Sequence, residues 1–213
     1  NNLGDCRKNN VMNLVTFVKG FVDFDDNKLA YLKSQALQQA FTTRESGVTH
    51  PFVKSTTYSL KKWPTFIRKV WVDVFDQQPW ENDRIHDPLV IDRCDVINYI
   101  PGQYLNWHID STPEEQQLES LKIENVENFD YDQGYGSCNK LSSTICLSEP
   151  DEYEGGLFEI LGTDGTVVHS MKLEKYEYIL FPSHVPHRVT EITEGNRWAF
   201  VTWAQGPALA NNT

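Results

Sequence analysis

From about Leu89 onward the chain breaks into eight short runs of β-forming residues, punctuated by Pro-Gly, Gly-Gly and Asp-Gly pairs. The runs are Val90–Ile100, Tyr104–Ile109, Leu141–Leu147, Leu157–Leu161, Thr166–Leu173, Glu177–Phe181, Arg188–Ile192 and Trp198–Trp203. β-Branched and aromatic side chains suit a pleated, half-buried surface, and glycine and proline mark the turns between strands. Many short strands in one domain fold into a sandwich or jelly roll, which leaves few open edges. Ahead of them, Asp25 and Asp26 can cap a helix through Leu29, Leu32, Ala36, Leu37 and Ala40. Pro64 suits the first turn of a second helix reaching about Phe75. The expected architecture is therefore a single, mainly β domain with an N-terminal α layer: residues 1–88 a mostly helical buttress, residues 89–205 a double-stranded β-helix (jelly roll) flanked by those helices.

At 213 residues, with 39% apolar residues and six tryptophans, the chain can bury a real core. The formal net charge of −11 repels phosphate backbones and counts against nucleic acid as a partner. No apolar run approaches the length of a membrane span, and no leader pattern opens the chain. Cys6, Cys94, Cys138 and Cys146 form no CxxC pair and no metal-like spacing, and a chain this long needs no staples. We therefore expect reduced thiols and a cytoplasmic compartment, with the oligomeric state open. The polar, acidic stretch Ser111–Lys140 is too long for an ordinary connection, and its place directly after the second β run makes it a candidate lid.

Within that second run, His108 and Asp110 stand two residues apart. Residues i and i+2 of a strand point to the same face, so both side chains can converge on one ion while Ile109 turns into the opposite layer. A further histidine comes from Phe181-Pro182-Ser183-His184-Val185-Pro186-His187-Arg188-Val189, where one strand ends and another begins. His187 is preferred to His184, because Pro186 fixes the entry to a strand that Val189 continues; His184 reads as a turn residue. Two histidines and one carboxylate hold a non-haem Fe(II) on one face and leave the other face open for chemistry. His50, His86 and His169 have no matching neighbours. A hairpin from His187 out to Glu194-Gly195 and back brings Arg197 alongside the histidine. A cation opening an apolar strand is costly without an anionic partner, and a guanidinium can take a carboxylate in two parallel hydrogen bonds. The alternative is a solvent-facing strand end paired to Glu191 or Glu194.

Four pieces carry a family resemblance: Tyr99-x-x-Gly102 ahead of Trp107-His108-Ile109-Asp110; Glu154-Gly155-Gly156-Leu157-Phe158; Phe181-Pro182-Ser183 through His187-Arg188-Val189; and Gly195-Asn196-Arg197 with Trp203. Together they resemble the Fe(II)- and 2-oxoglutarate-dependent dioxygenase superfamily, in its prolyl 4-hydroxylase-like branch, over roughly residues 90–205. The resemblance implies that His108, Asp110 and His187 form the catalytic metal site for Fe(II). It implies that Arg197 pairs with the distal carboxylate of 2-oxoglutarate and that Tyr99 donates its hydroxyl to the same co-substrate. Thr202 is assigned to the co-substrate pocket and Trp203 to packing. The implied reaction consumes O2 and 2-oxoglutarate, releases succinate and CO2, hydroxylates a C–H bond, and can draw on ascorbate as reductant. A peptidyl proline is the first substrate class, beside a free amino acid or other small metabolite. A non-catalytic jelly-roll binding protein is the reading from another class; a cupin-type enzyme would gather more histidines.

Overall fold

The computed structural model describes residues 16–39, 56–59, 65–80, 94–110, 137–162 and 168–207. Helix α1 (Asp26–Gln39) starts at a side-chain cap, with the Lys28 N–H donating to Asp25 Oδ1 at 2.9 Å. Helix α2 (Thr65–Phe75) buries Ile67, Val70, Trp71, Val74 and Phe75 along one stripe. Each such side chain contributes about 1.5–3 kcal/mol of gross stabilisation, enough to seat the helix without help from its exposed face. None of the described helices is long and apolar enough to cross a membrane.

The strands are β1 (Val18–Phe21), β2 (Thr56–Ser59), β3 (Cys94–Tyr99), β4 (Leu105–His108), β5 (Ser137–Cys146), β6 (Tyr153–Gly155), β7 (Phe158–Leu161), β8 (Val168–Met171), β9 (Glu177–Pro182), β10 (His187–Val189), β11 (Ile192–Gly195) and β12 (Arg197–Pro207). A six-stranded sheet runs β1-β9-β5-β12-β3-β2, a four-stranded sheet runs β4-β10-β7-β8, and β11 pairs with β6. Every pairing is antiparallel. The larger sheet has two buried faces, which is why its central strands read as near-continuous apolar runs. Cys94, Val96, Ile145, Leu180 and Phe200 pack with Leu32, Val70 and Trp71 of the helices. Ile97, Tyr99, Cys146, Ile179 and Phe181 pack with Phe158, Ile160 and Val189 of the smaller sheet. Two sheets with an interior between them and helices outside are the double-stranded β-helix expected of this region.

Several details differ from the expectation. The N-terminal segment is not only a helical buttress: it also gives β1 and β2, which close the two edges of the larger sheet. Four-residue strands are too short for alternation to announce them. The expected strand Arg188–Ile192 divides into β10 in the smaller sheet and β11 paired with β6. Of the candidate lid, residues 111–136 lie outside the described residues, and the remainder belongs to β5.

Candidate metal centre

His108 ends β4 and His187 opens β10, and the antiparallel register sets them directly opposite one another. Their rings lie 4.2 Å apart between centroids. Asp110 follows β4 by two residues, its N–H donating to the Ser183 carbonyl at 2.8 Å and its own carbonyl accepting from Asn139 Nδ2 at 3.1 Å. This tethers the carboxylate between the sheets. Asp110 Oδ1 is 3.4 Å from His108 Nε2, and Oδ2 is 3.5 Å from His187 Nε2. The three donor atoms lie within 4.8 Å of one another, the spacing of ligands around a single ion.

The tautomers follow from the second nitrogens. His108 Nδ1 donates to the Asn106 carbonyl at 2.8 Å and His187 Nδ1 to the Val185 carbonyl at 3.0 Å. A carbonyl only accepts, so the proton sits on Nδ1 and the Nε2 lone pair faces Asp110. Burial among Phe158 and Phe181 pushes the His187 pKa down to about 4, so this imidazole is neutral at ordinary pH. For His108, burial opposes the charge, but the hydrogen bond and charge of Asp110 prevail and raise it above 6.5. Burial also opposes the Asp110 charge, yet hydrogen bonding from His108 and the charges of both histidines hold it well below the usual carboxylate range.

These shifts fix a sign. His108 binds a proton more tightly than a free imidazole, so a metal ion must displace it. Divalent-metal affinity is expected to rise with pH from 6.5 upward, by up to tenfold per unit while one proton is released, and to level off above the raised pKa. Calorimetric titration in buffers of differing ionisation heat measures that proton; pH-independent affinity across this range contradicts it.

Arg197 opens β12 opposite Tyr99 of β3, with its guanidinium carbon 5.5 Å from the Tyr99 ring centroid. It is 1% exposed, and its Nε and Nη2 have no hydrogen-bond partner among the described residues. The solvent-facing strand end weighed above is therefore not what forms. Gly156 makes room for it: the residue has φ +59°, and a Cβ there would stand 2.9 Å from Arg197 Cδ. Tyr99 is also buried, which pushes its hydroxyl up to about 12, and it feels the charges of both Arg197 and Asp110.

Thr202 needs correcting. Side chains alternate along β12, whose pairing with β3 is unbroken from Arg197 to Thr202. Five residues from Arg197, Thr202 falls on the helix-facing side with Phe200 and Ala204. Its hydroxyl is buried there without a hydrogen-bond partner among the described residues, away from the pocket assigned to it. Thr202→Val is expected to leave stability equal or higher and co-substrate affinity within twofold, read from melting temperature and half-saturation; a tenfold loss of affinity would contradict this placement. The same parity brings Trp203 to the inner face, where its Nε1–H donates to Asp110 Oδ2 at 2.9 Å. Counting by twos from Arg197 was the available signal. Tyr153 was also missed: it is fully buried, and the Arg197 charge bears on its hydroxyl, whose pKa burial pushes up to about 12. His184 sits exposed in the turn closed by Val185 N–H and the Pro182 carbonyl. His169 stacks edge-on against Phe17, while His50 and His86 lie outside the described residues.

Comparisons with known proteins bear on this geometry. Residues 94–205 match the family model described as the 2OG-Fe(II) oxygenase superfamily. A PKHD-type hydroxylase of Gluconobacter oxydans is 46% identical over 65 residues, which are 30% of this chain and 28% of that relative. The chain thus matches less than a third of that curated relative's length. A viral collagen prolyl hydroxylase of Paramecium Bursaria Chlorella virus-1 superposes with TM-score 0.61 at 16% identity, covering 92% of this chain and 98% of that one. A prolyl hydroxylase from Trichoplax adhaerens, solved with a hypoxia inducible factor peptide fragment, superposes with TM-score 0.57 at 14% identity, covering 89% of this chain and 83% of that one. At such identities the likeness speaks for the fold.

Proposed function

The chain belongs to the 2OG-Fe(II) oxygenase superfamily, and on that footing we propose that it is a 2-oxoglutarate-dependent dioxygenase hydroxylating a C–H bond of a peptidyl proline or a similarly shaped substrate. Fe(II), 2-oxoglutarate and O2 are the reactants its family implies. The observation that carries the reading is the buried Arg197 guanidinium, with two nitrogens lacking partners among the described residues, on the interior that also holds the His108–Asp110–His187 cluster. A buried cation without an anion is a large free-energy cost unless a ligand supplies the charge.

In this reading His108, Asp110 and His187 hold Fe(II), whose chemistry with 2-oxoglutarate and O2 yields succinate, CO2 and a hydroxylated substrate. The protein supplies placement. Arg197 binds the distal carboxylate of the co-substrate in two parallel hydrogen bonds. Tyr99 keeps its proton at any working pH, because burial holds it near 12, and so acts as a donor toward the bound co-substrate. The Phe158 and Phe181 rings around His187 keep water from the metal's protein side. The prolyl hydroxylases among the structural neighbours, one solved with a peptide, favour a peptide substrate.

The test is succinate release and substrate oxidation against proline-containing peptides and free amino acids. We expect one succinate per hydroxylated prolyl residue. A small acid turning over while every peptide fails would refute the peptide assignment; no substrate-stimulated succinate from metal-loaded protein would refute the activity.

A further inference from the structure

Asp110 has two oxygens, and both face a histidine Nε2. A carboxylate so placed can bind a metal through one oxygen or through two. The choice matters, because a second bound oxygen takes a position that a facial arrangement leaves open for reactants.

The larger sheet presents donors to one of these oxygens. Trp203 of β12 and Ser142 of β5 are direct cross-strand partners, and both point inward. Trp203 Nε1–H donates to Asp110 Oδ2 at 2.9 Å. An indole nitrogen donates and cannot accept, so it stabilises only an unprotonated oxygen. The Ser142 hydroxyl, on the same inner face, is paired with Ser183 Oγ at 2.8 Å. Ser183 closes the loop, since its carbonyl accepts the Asp110 N–H. Trp203 is anchored from behind as well: its carbonyl accepts Trp71 Nε1–H from α2 at 3.3 Å. The helix layer, the larger sheet and the Asp110 carboxylate thus form one hydrogen-bonded series.

Resting on the metal-site reading above, we propose that Trp203, supported by Ser142, is a positioning residue that occupies Asp110 Oδ2 and so makes Asp110 a one-oxygen metal ligand through Oδ1. The indole N–H holds the carboxylate plane in place before any ion arrives, and it blocks the lone pair that a two-oxygen binding mode would need.

The experiment uses the whole protein and Co(II), whose visible absorption reports coordination number. Trp203→Phe keeps an aromatic ring and removes the donor; Ser142→Ala removes the supporting hydroxyl with little change in volume. Wild type is expected to bind one Co(II). Trp203→Phe should bind it about 10- to 100-fold more weakly, the usual effect of losing such a partner, with an altered visible spectrum and an unchanged near-ultraviolet dichroism apart from the lost tryptophan. Ser142→Ala should weaken binding by a smaller factor in the same direction, and it serves alone if Trp203→Phe does not fold. Unchanged affinity and spectrum in the folded variants, beside loss of binding in Asp110→Ala, would overturn the positioning role and leave the metal site standing. Wild type that binds no Co(II) would overturn both.

Discussion

Arg197→Met is expected to make the free protein more stable while nearly abolishing its response to 2-oxoglutarate. The two effects have one cause. Nε and Nη2 of Arg197 are buried and unpartnered, and each such group costs about 1–3 kcal/mol of stability. Methionine fills a comparable volume with flexible apolar atoms and brings no polar group to satisfy. The melting temperature without co-substrate should therefore rise by several degrees. Charge-assisted hydrogen bonds contribute about 1.5–3 kcal/mol each, so losing a two-bond carboxylate contact should raise the half-saturating 2-oxoglutarate concentration by about 100-fold or more. A structural arginine would behave in the opposite way: the melting temperature would fall and half-saturation would stay put. That combination would remove the co-substrate role.

Asp110→Ala is the second large effect. It deletes a ligand outright, so divalent-metal affinity should fall by more than the roughly 10- to 100-fold that loss of an outer partner costs. Succinate production should vanish with it. The pH dependence of stability supplies an independent reading in the metal-free protein. The Asp110 pKa is depressed from 3.8, so its stabilisation is present above that value and lost as pH falls toward the folded pKa. The His108 pKa is raised from 6.5, so its share is present below 6.5 and lost as pH rises through the folded value. Wild type should therefore exceed the variant most between about pH 4 and 6.5. In the variant, burial is opposed only by backbone hydrogen bonding and the His108 pKa should drop, which its ring-proton titration by NMR would register. A stability difference flat across pH 3 to 8 would mean that these groups do not interact as described.

How much of this was legible in the chain depends on the range over which each signal acts. Near-continuous apolar runs such as Glu177–Phe181 and Trp198–Trp203 located the central strands, because burial on both faces selects apolar residues at every position. The cap at Asp25 and the first-turn proline at Pro64 located the helices for equally local reasons. The His108–Asp110 spacing works although Asp110 lies beyond the end of β4, because its N–H bond to the Ser183 carbonyl continues the pairing past the strand. Three features escaped. β1 and β2 carry too few residues for periodicity to register, and their partners are far along the chain. The Thr202 assignment ignored parity, which a strand obeys only where no bulge intervenes; β12 has one, but after Ala204. Trp203 reaches a carboxylate 93 residues away, and no pattern within a segment encodes that meeting. The His108–Asp110–His187 cluster was thus readable from spacing, while the groups that hold it in place required the register between strands.

The measurement closest to the central claim is the visible spectrum of the full protein given Fe(II) and 2-oxoglutarate without oxygen. A chelate held by His108, Asp110 and His187 should produce a weak charge-transfer band that saturates at one iron per chain. The band should be absent in Asp110→Ala and should need about 100-fold more 2-oxoglutarate in Arg197→Met. A folded wild-type protein that binds Fe(II) and shows no such band, or shows it unchanged in both variants, would contradict the account.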